Sequence, residues 1–368
     1  MRVLMVTPFG RYVVGGISNF VHNLSRVLSE RYSVVCRTIA QIGSNAKDVE
    51  TVNVSLLRYM LKALVLARKF RPQIIHAHSD WRSLVVAVVL KILHSHSRAY
   101  FTFHTDYVSP PRGFKRWVFE FLLSKCDGLT FSSRYLRNRM IAQFELPSKR
   151  VVSYPGVAQA KADERDIEAF KSRFDLEDHY PILAFLGPLV HERKVEGVGI
   201  LIKAVGVLVE RGWKPVLLVI GDGPHKQLLE DLTNNLNLTH VVVFTGVVQK
   251  SEIPLSLCDI YTHISLQESL SLSVLEAMIQ AKPVIASAVG GIPEIVKDGR
   301  TGLLVRPDPS EIASKIMELA NDKERMRAIG QDSFQLASER FSWERTARVV
   351  FNLYVAGLLP ETEEVAGP

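Results

Sequence analysis

Short apolar runs alternate along this chain with longer stretches in which apolar positions recur every three or four residues. Runs at 2–6, 33–37, 73–77, 99–103, 128–131 and 151–154 predict six strands in the first half; runs at 182–186, 216–220, 241–244, 260–264, 283–286 and 303–305 predict six in the second. Between them lie helical patterns, for example over 18–30, 56–70 and 82–93, with one apolar face per turn, as expected of helices packed on a sheet. Strand and helix in alternation predict parallel sheets and an α/β class. A charge-rich stretch over 158–180 breaks the rhythm and reads as a connector with a short helix of its own. The chain is therefore divided into 1–156, a linker at 157–180, a second domain over 181–341 and a terminal segment over 342–368. Each large piece is the size of one Rossmann-like domain, and the cleft between two such domains is the expected binding place.

With 368 residues, 47% of them hydrophobic, the chain can fill two such cores. Its longest apolar run, 84–90, stops at Lys91, far short of a membrane span. The stretch from Met1 to Pro8 holds one Arg and reads as a first strand, not a signal peptide. Cys36, Cys126 and Cys258 are odd in number and scattered, as reduced core thiols of a cytosolic protein would be. Charge is divided unevenly. Residues 1–156 carry 23 Lys and Arg against 8 Asp and Glu, whereas the rest carries 22 against 30. The basic half calls for an anionic partner: phospholipid headgroups, a phosphorylated lipid carrier or nucleic acid. Only one helix interleaves aromatic and basic residues and no nucleic-acid-binding motif occurs, so nucleic acid is set aside.

The densest candidate chemistry follows the strand at 260–264. Glu268 falls on the loop at its carboxyl end. Glu276 falls on the first turns of a helix whose buried face carries Leu272, Leu275, Met278 and Ile279. Amide groups at such a helix start face an anion. The layout can hold a phosphate at Ser271, Leu272 and Ser273, a sugar at Glu268 and a ribose at Glu276. The plainer alternative is two solvent-facing glutamates. In the first half, Gly15 and Gly16 lie between the first strand and a helix starting near Ser18, where glycine lets backbone approach a ligand. His104 ends the strand at 99–103, and His76 and His78 alternate at another strand end. A Zn pair is conceivable there, but no third ligand lies nearby, so these two read as structural.

From Glu268 to Val305 the sequence resembles glycosyltransferase family 4, through Glu276-Ala277-Met278, Pro283-Val284-Ile285-Ala286, Gly290-Gly291-Ile292-Pro293-Glu294 and Asp298-Gly299-Arg300-Thr301-Gly302. The resemblance implies a GT-B fold, two Rossmann-like domains facing each other across a cleft. It implies a retaining, metal-independent enzyme that moves a hexose from a nucleoside-diphosphate sugar, such as a UDP- or GDP-sugar, to a lipid-linked or glycan acceptor. No cofactor is implied, and no Asp-x-Asp occurs to ligate a bridging metal. By the same resemblance Gly15 and Gly16 lie over the donor phosphate and sugar, and His104 faces the transferred sugar. Glu268 holds sugar hydroxyls, Glu276 holds the ribose, and Gly221 and the backbone at Val247 border the nucleotide. The terminal helix returns to the first domain.

One departure stands out. The family's Gly-Arg pair after the first strand of the second domain is Gly187-Pro188 here. Spacing puts Glu196 in the place of the family's following lysine, in a loop about three residues longer. A helix terminus contributes only about 0.3–1 kcal/mol, up to ~2 when partly buried, so Arg193 or Lys194 is expected to neutralise the diphosphate. Without that substitution the chain reads as a catalytically silent scaffold; a nucleotide-sugar epimerase is the other alternative. A basic, aromatic helix around Lys115, Arg116 and Trp117, with Arg58, Lys62, Arg68 and Lys69 elsewhere in the same half, suits reversible contact with the anionic inner face of a membrane.

Overall fold

The structure, a computed structural model, describes residues 1–9, 16–42, 49–51, 55–106 and 110–356. It divides into two compact units, residues 1–156 with the chain from 343 onward, and residues 157–342.

In the first unit β1 (Arg2–Phe9), β2 (Val35–Ile42), β3 (Val49–Thr51), β4 (Ile74–His78), β5 (Arg98–Phe103), β6 (Gly128–Phe131) and β7 (Arg150–Val152) form one sheet. Their order is β3-β2-β1-β4-β5-β6-β7, parallel throughout. The order reverses between β1 and β4, and α/β sheets bind ligands at the carboxyl end of such a switch point. Register sets His78 opposite Thr102, so the ends of β4 and β5 stand side by side. On one face α1 (Gly16–Tyr32) and α14 (Trp343–Val355) bury Phe20, Leu24, Trp343 and Val350 against Val3, Met5 and Tyr100. The other face carries α2 (Leu56–Phe70), α3 (Trp81–Leu93), α4 (Phe114–Ser124) and α5 (Arg134–Gln143) over Leu4, Ile75, Phe101 and Phe131. Each such side chain contributes roughly 1.5–3 kcal/mol by leaving water. The apolar run 84–90 lies within α3, which packs on β1, β4 and β5 with α2 and α4 as neighbours. Among the described residues no helix is long and apolar enough to cross a membrane.

The second unit holds β8 (Ile182–Leu186), β9 (Val216–Ile220), β10 (Val242–Gly246), β11 (Ile260–His263), β12 (Val284–Ser287) and β13 (Gly302–Val305), in the order β10-β9-β8-β11-β12-β13. All pairs are again parallel, and the reversal lies between β8 and β11. α7 (Glu192–Glu210), α8 (Lys226–Asn235) and α12 (Pro309–Asn321) bury Val198, Leu201, Leu229 and Ile312 in one continuous core with Phe185, Val219 and Ile264. The charge-rich connector does contain a short helix, α6 (Glu164–Arg173).

Element ends differ from the sequence pattern by a few residues, most at β2, which runs to Ile42 where the pattern stops at 37. The short edge strand β3 has no predicted counterpart, and three residues are too few to show alternation. α1 begins at Gly16 instead of Ser18, because a glycine in the first turn still has helical geometry open to it.

Candidate functional site

In the second unit the chain leaves β11 at His263, loops through Glu268 and enters α10 (Leu272–Ile279). Ser271 caps this helix, its hydroxyl accepting from the Val274 amide at 3.4 Å and lying 3.1 Å from the Ser273 hydroxyl. Its φ of 109° is a region that side chains avoid, a strain of about 1–3 kcal/mol that surrounding structure must sustain. That structure is visible behind Glu268. The Glu268 carbonyl accepts from the Gly291 amide at 3.3 Å. Gly290, at φ +57°, passes so close that a Cβ would run into the same oxygen.

The Glu268 carboxylate meets two partners. Its Oε2 is 3.0 Å from Lys194 Nζ and 3.1 Å from His263 Nε2. Only 15% of the Lys194 and Glu268 side chains is exposed, and His263 is fully buried. Burial alone would raise the Glu268 carboxyl, but the Lys194 charge and the His263 hydrogen bond outweigh it and hold it at about 2. Burial also lowers His263 against the pull of Glu268, so the ring is neutral near pH 7. It donates Nε2–H to Glu268, and its Nδ1 lies 3.3 Å from the Tyr261 hydroxyl.

Lys194 reaches Glu268 because α7 docks by its backbone. The Leu266 amide donates to the Arg193 carbonyl at 3.2 Å. A Cβ on Gly197 would strike the Ile264 carbonyl, so only glycine lets the helix lie this close. Lys194 and Gly197 share a face, one turn apart. Glu196, which the linear spacing puts in the family lysine's place, is turned to solvent. It points away, pairing with Arg193 at 3.2 Å where both side chains are more than half exposed. Lys194 lies in the first turn of α7, which begins at Glu192. Of the two expected cations, Lys194 lies at Glu268 and Arg193 does not.

Pro188 is exposed and uncharged, in a loop stitched to its neighbour. The Gly187 amide donates to Ile220, and the Leu189 amide to the Asp222 carbonyl, each at 2.9 Å. Gly221, at φ +141°, passes so close to the Gly187 carbonyl that no side chain fits. Val247 follows β10 with 52% of its surface exposed. Glu276 is half-buried; burial pushes its carboxyl up to about 7, against a hydrogen bond from Ser251.

In the first unit Gly16 is the first residue of α1, and Gly15 lies outside the described residues. His104 follows β5 directly, with its Nε2 3.2 Å from Nδ1 of the buried His78. The Phe20 ring sits edge-on to His104 at 4.7 Å. Burial brings His104 down to about 3. His76 has both nitrogens engaged, Nδ1 with the Tyr354 hydroxyl at 2.6 Å and Nε2 with Thr102 Oγ1 at 2.7 Å. Among the described residues no group of three or more His, Cys, Asp or Glu side chains is placed to hold a metal ion. His263 carried no signal of its own in the sequence and is recognisable only as a strand-ending histidine two residues after Tyr261; His78 stood out only with His76, as a structural pair.

On the first unit, α4 presents Phe114, Trp117 and Phe121 outward, 76%, 60% and 45% exposed. Their rings stack in sequence at 5.7 and 5.8 Å. Lys115 and Arg116 are exposed beside them, Arg116 paired with Glu120 at 3.0 Å. On α2, Leu57, Leu61 and Val65 form a second exposed stripe, flanked by exposed Arg58, Lys62, Arg68 and Lys69.

Residues 180–322 match the family model for glycosyl transferases group 1, and residues 14–160 match the model for Glycosyltransferase Family 4. An uncharacterized glycosyltransferase of Methanocaldococcus jannaschii is 27% identical over 96% of this chain and 98% of its own length. The GDP-mannose-dependent alpha-(1-6)-phosphatidylinositol monomannoside mannosyltransferase of Mycolicibacterium smegmatis is 30% identical over 61% of each chain. Among solved structures, Anabaena HepE in complex with UDP-glucose is similar in fold, with a TM-score of 0.78 over 96% of this chain and 98% of the other, at 20% identity.

Proposed function

The chain belongs to glycosyltransferase family 4, with the GT-B fold of two parallel-sheet units, and we propose that it moves a hexose from a nucleoside-diphosphate sugar to a lipid-borne hydroxyl with retained configuration. The observation that carries this reading is the Lys194–Glu268–His263 cluster beside the start of α10. Glu268, ionised and pinned by its backbone, accepts hydrogen bonds from sugar hydroxyls. Lys194 has three N–H donors, one of them spent on Glu268; the others go to the diphosphate, together with the amides at Ser271, Leu272 and Ser273. Lys194 thereby takes over from the arginine that Pro188 replaces. Glu276 accepts from the ribose, and Gly221 and Val247 border the nucleotide.

In the reaction the bond from the anomeric carbon to the diphosphate oxygen breaks, and its electron pair stays on the diphosphate. The acceptor hydroxyl oxygen bonds to that carbon from the same face, and its proton passes to the departing phosphate oxygen. Charge on the leaving group is met by Lys194 and the α10 amides, and the scheme contains no metal. The family resemblance assigns Gly15 and Gly16 to the donor and His104 to the transferred sugar.

A lipid acceptor is favoured by the two exposed stripes on α2 and α4. Water-facing helix surfaces are ordinarily polar, yet these pair apolar or aromatic residues with Lys and Arg, as interfacial helices do. The similarity to a mannosyltransferase named for a phosphatidylinositol mannoside points the same way. Docking there would place the enzyme on an anionic membrane face.

The test is a thermal-shift and hydrolysis screen against UDP-, GDP- and ADP-sugars, with the product anomer then read by NMR. Stabilisation by one nucleotide with slow release of its diphosphate is the expected result, and an inverted anomer would end the retaining scheme. A second reading, a silent scaffold, is favoured by Pro188; no shift with any nucleotide would select it.

A further inference from the structure

At the carboxyl ends of β4 and β5 two histidines are coupled in a way the transfer scheme has not used. His104 Nε2 and His78 Nδ1 are 3.2 Å apart, so one ring donates and the other accepts. His78 is completely buried, and its other nitrogen, Nε2, has no hydrogen-bond partner among the described residues. His76, stacked on His78 at 4.3 Å, cannot serve, because both its nitrogens are engaged with Tyr354 and Thr102. Phe20 packs on both His78 and His104, at 6.0 and 4.7 Å, which restricts how either ring can turn.

The unpartnered nitrogen decides the direction of the shared bond. If His104 donated, His78 would have to carry its proton on Nε2, a buried N–H with no acceptor. Such orphan donors are rarer than unpaired acceptors, and stranding one costs about 1–3 kcal/mol. If His78 donates from Nδ1, only a lone pair is left bare. A doubly protonated ring is excluded by burial among other imidazoles, which brings His78 well below its ordinary value.

We propose that His78 is a positioning residue that donates Nδ1–H to His104 Nε2 and so holds His104 as its Nδ1–H tautomer. A histidine side chain free in water prefers the opposite form, with the proton on Nε2. Fixed this way, His104 offers a ligand one N–H and no lone pair. It is a hydrogen-bond donor to a hydroxyl oxygen and cannot act there as a general base, so the acceptor's proton must leave by another route. That consequence rests on the proposed transfer reaction; the tautomer itself does not.

The experiment is long-range 1H–15N correlation on the full chain labelled with 15N-histidine, with the His104 signals identified by their loss in His104→Gln. The expected spectrum between pH 6 and 8 shows Nδ1 of His104 protonated and Nε2 bare. An Nε2–H form of His104 in the unmodified chain overturns the proposal, whether or not any sugar is transferred. His78→Phe keeps a buried ring and removes the donor. It should shift the Nε2 signal of His104, which loses the N–H it accepts from, and lower kcat roughly tenfold, the worth of one hydrogen bond, with nucleoside-diphosphate affinity unchanged. An unaltered His104 spectrum in that variant would equally overturn it.

Discussion

Two strand-end sites on the same kind of sheet solve opposite electrostatic problems. At β11 an acid is kept charged: Glu268 sits at about 2 because Lys194 and His263 overcome its burial. At β4 and β5 bases are kept neutral: His78 and His104 are buried against each other and His76, and burial prevails. Burial is common to both, so the partner decides the charge state. A site built around a fixed charge suits binding a polar, charged donor and a leaving phosphate. A site built around neutral rings suits directional hydrogen bonds to uncharged hydroxyls.

The strongest way to break this contrast is to neutralise the charged site. Glu268→Gln keeps the shape but leaves Lys194 and His263 without their carboxylate. Transfer should fall by roughly 10²–10³-fold, the range seen when a preorganised electrostatic group is lost, with circular dichroism unchanged. Full activity would remove Glu268 from the site. The matching neutral change, His78→Phe, is expected to cost only about tenfold.

Next comes the split between adjacent cations. Lys194→Ala should weaken nucleoside-diphosphate binding at least tenfold and lower the melting temperature, because removing one partner of a buried pair costs up to roughly 3–5 kcal/mol. Arg193→Ala should change neither measurably, since exposed pairs such as Arg193–Glu196 are worth about 0–1 kcal/mol. Calorimetric titration of both variants settles it; a larger effect at Arg193 would undo the assignment of Lys194.

The two acids of the second unit should also respond to pH with opposite signs. Glu268, held at about 2, adds stability that is complete above the ordinary carboxyl value near 4.5 and is lost as pH falls towards 2. Glu276 is pushed up to about 7, so the folded chain retains a proton that the unfolded chain releases near 4.5. Its contribution therefore declines as pH rises from 4.5 to 7 and should flatten in Glu276→Gln. If the ionised acid accepts from ribose, nucleotide affinity should rise about tenfold between pH 6 and 8, following the ionised fraction. Affinity independent of pH would deny Glu276 that contact.

The smallest expected effect is on the outer helices. Reversing charge at Lys115 and Arg116 should weaken partitioning onto anionic vesicles several-fold, at about 1 kcal/mol per basic residue, and leave nucleotide binding untouched. Identical partitioning would dismiss α4 as a membrane surface.

Much of the architecture was legible because strands and helices bury apolar side chains at fixed periods. The pattern over 56–70 matches α2 to the residue, and Glu268 lies on its loop before α10 as the run of apolar residues around it requires. The spacing left Arg193 and Lys194 equal as the compensating cation, because counting along the chain cannot say which of two adjacent side chains a helix turns inward; in the structure Lys194 meets Glu268 and Arg193 meets the exposed Glu196. His76 and His78 looked alike in sequence, yet one has both nitrogens satisfied and the other has one left over.

By itself, the sequence determined the α/β class, the family, the candidate acids and the uneven charge, since each is a matter of residue type and spacing. Only the tertiary structure decided which cation meets Glu268, which histidines are coupled, and which carboxyl is held near 2 and which near 7. Those properties depend on burial and on distances between side chains brought from separate elements, for example α7 and the loop after β11. A carboxylate's charge state follows from what surrounds it in space, and no local pattern along the chain records that.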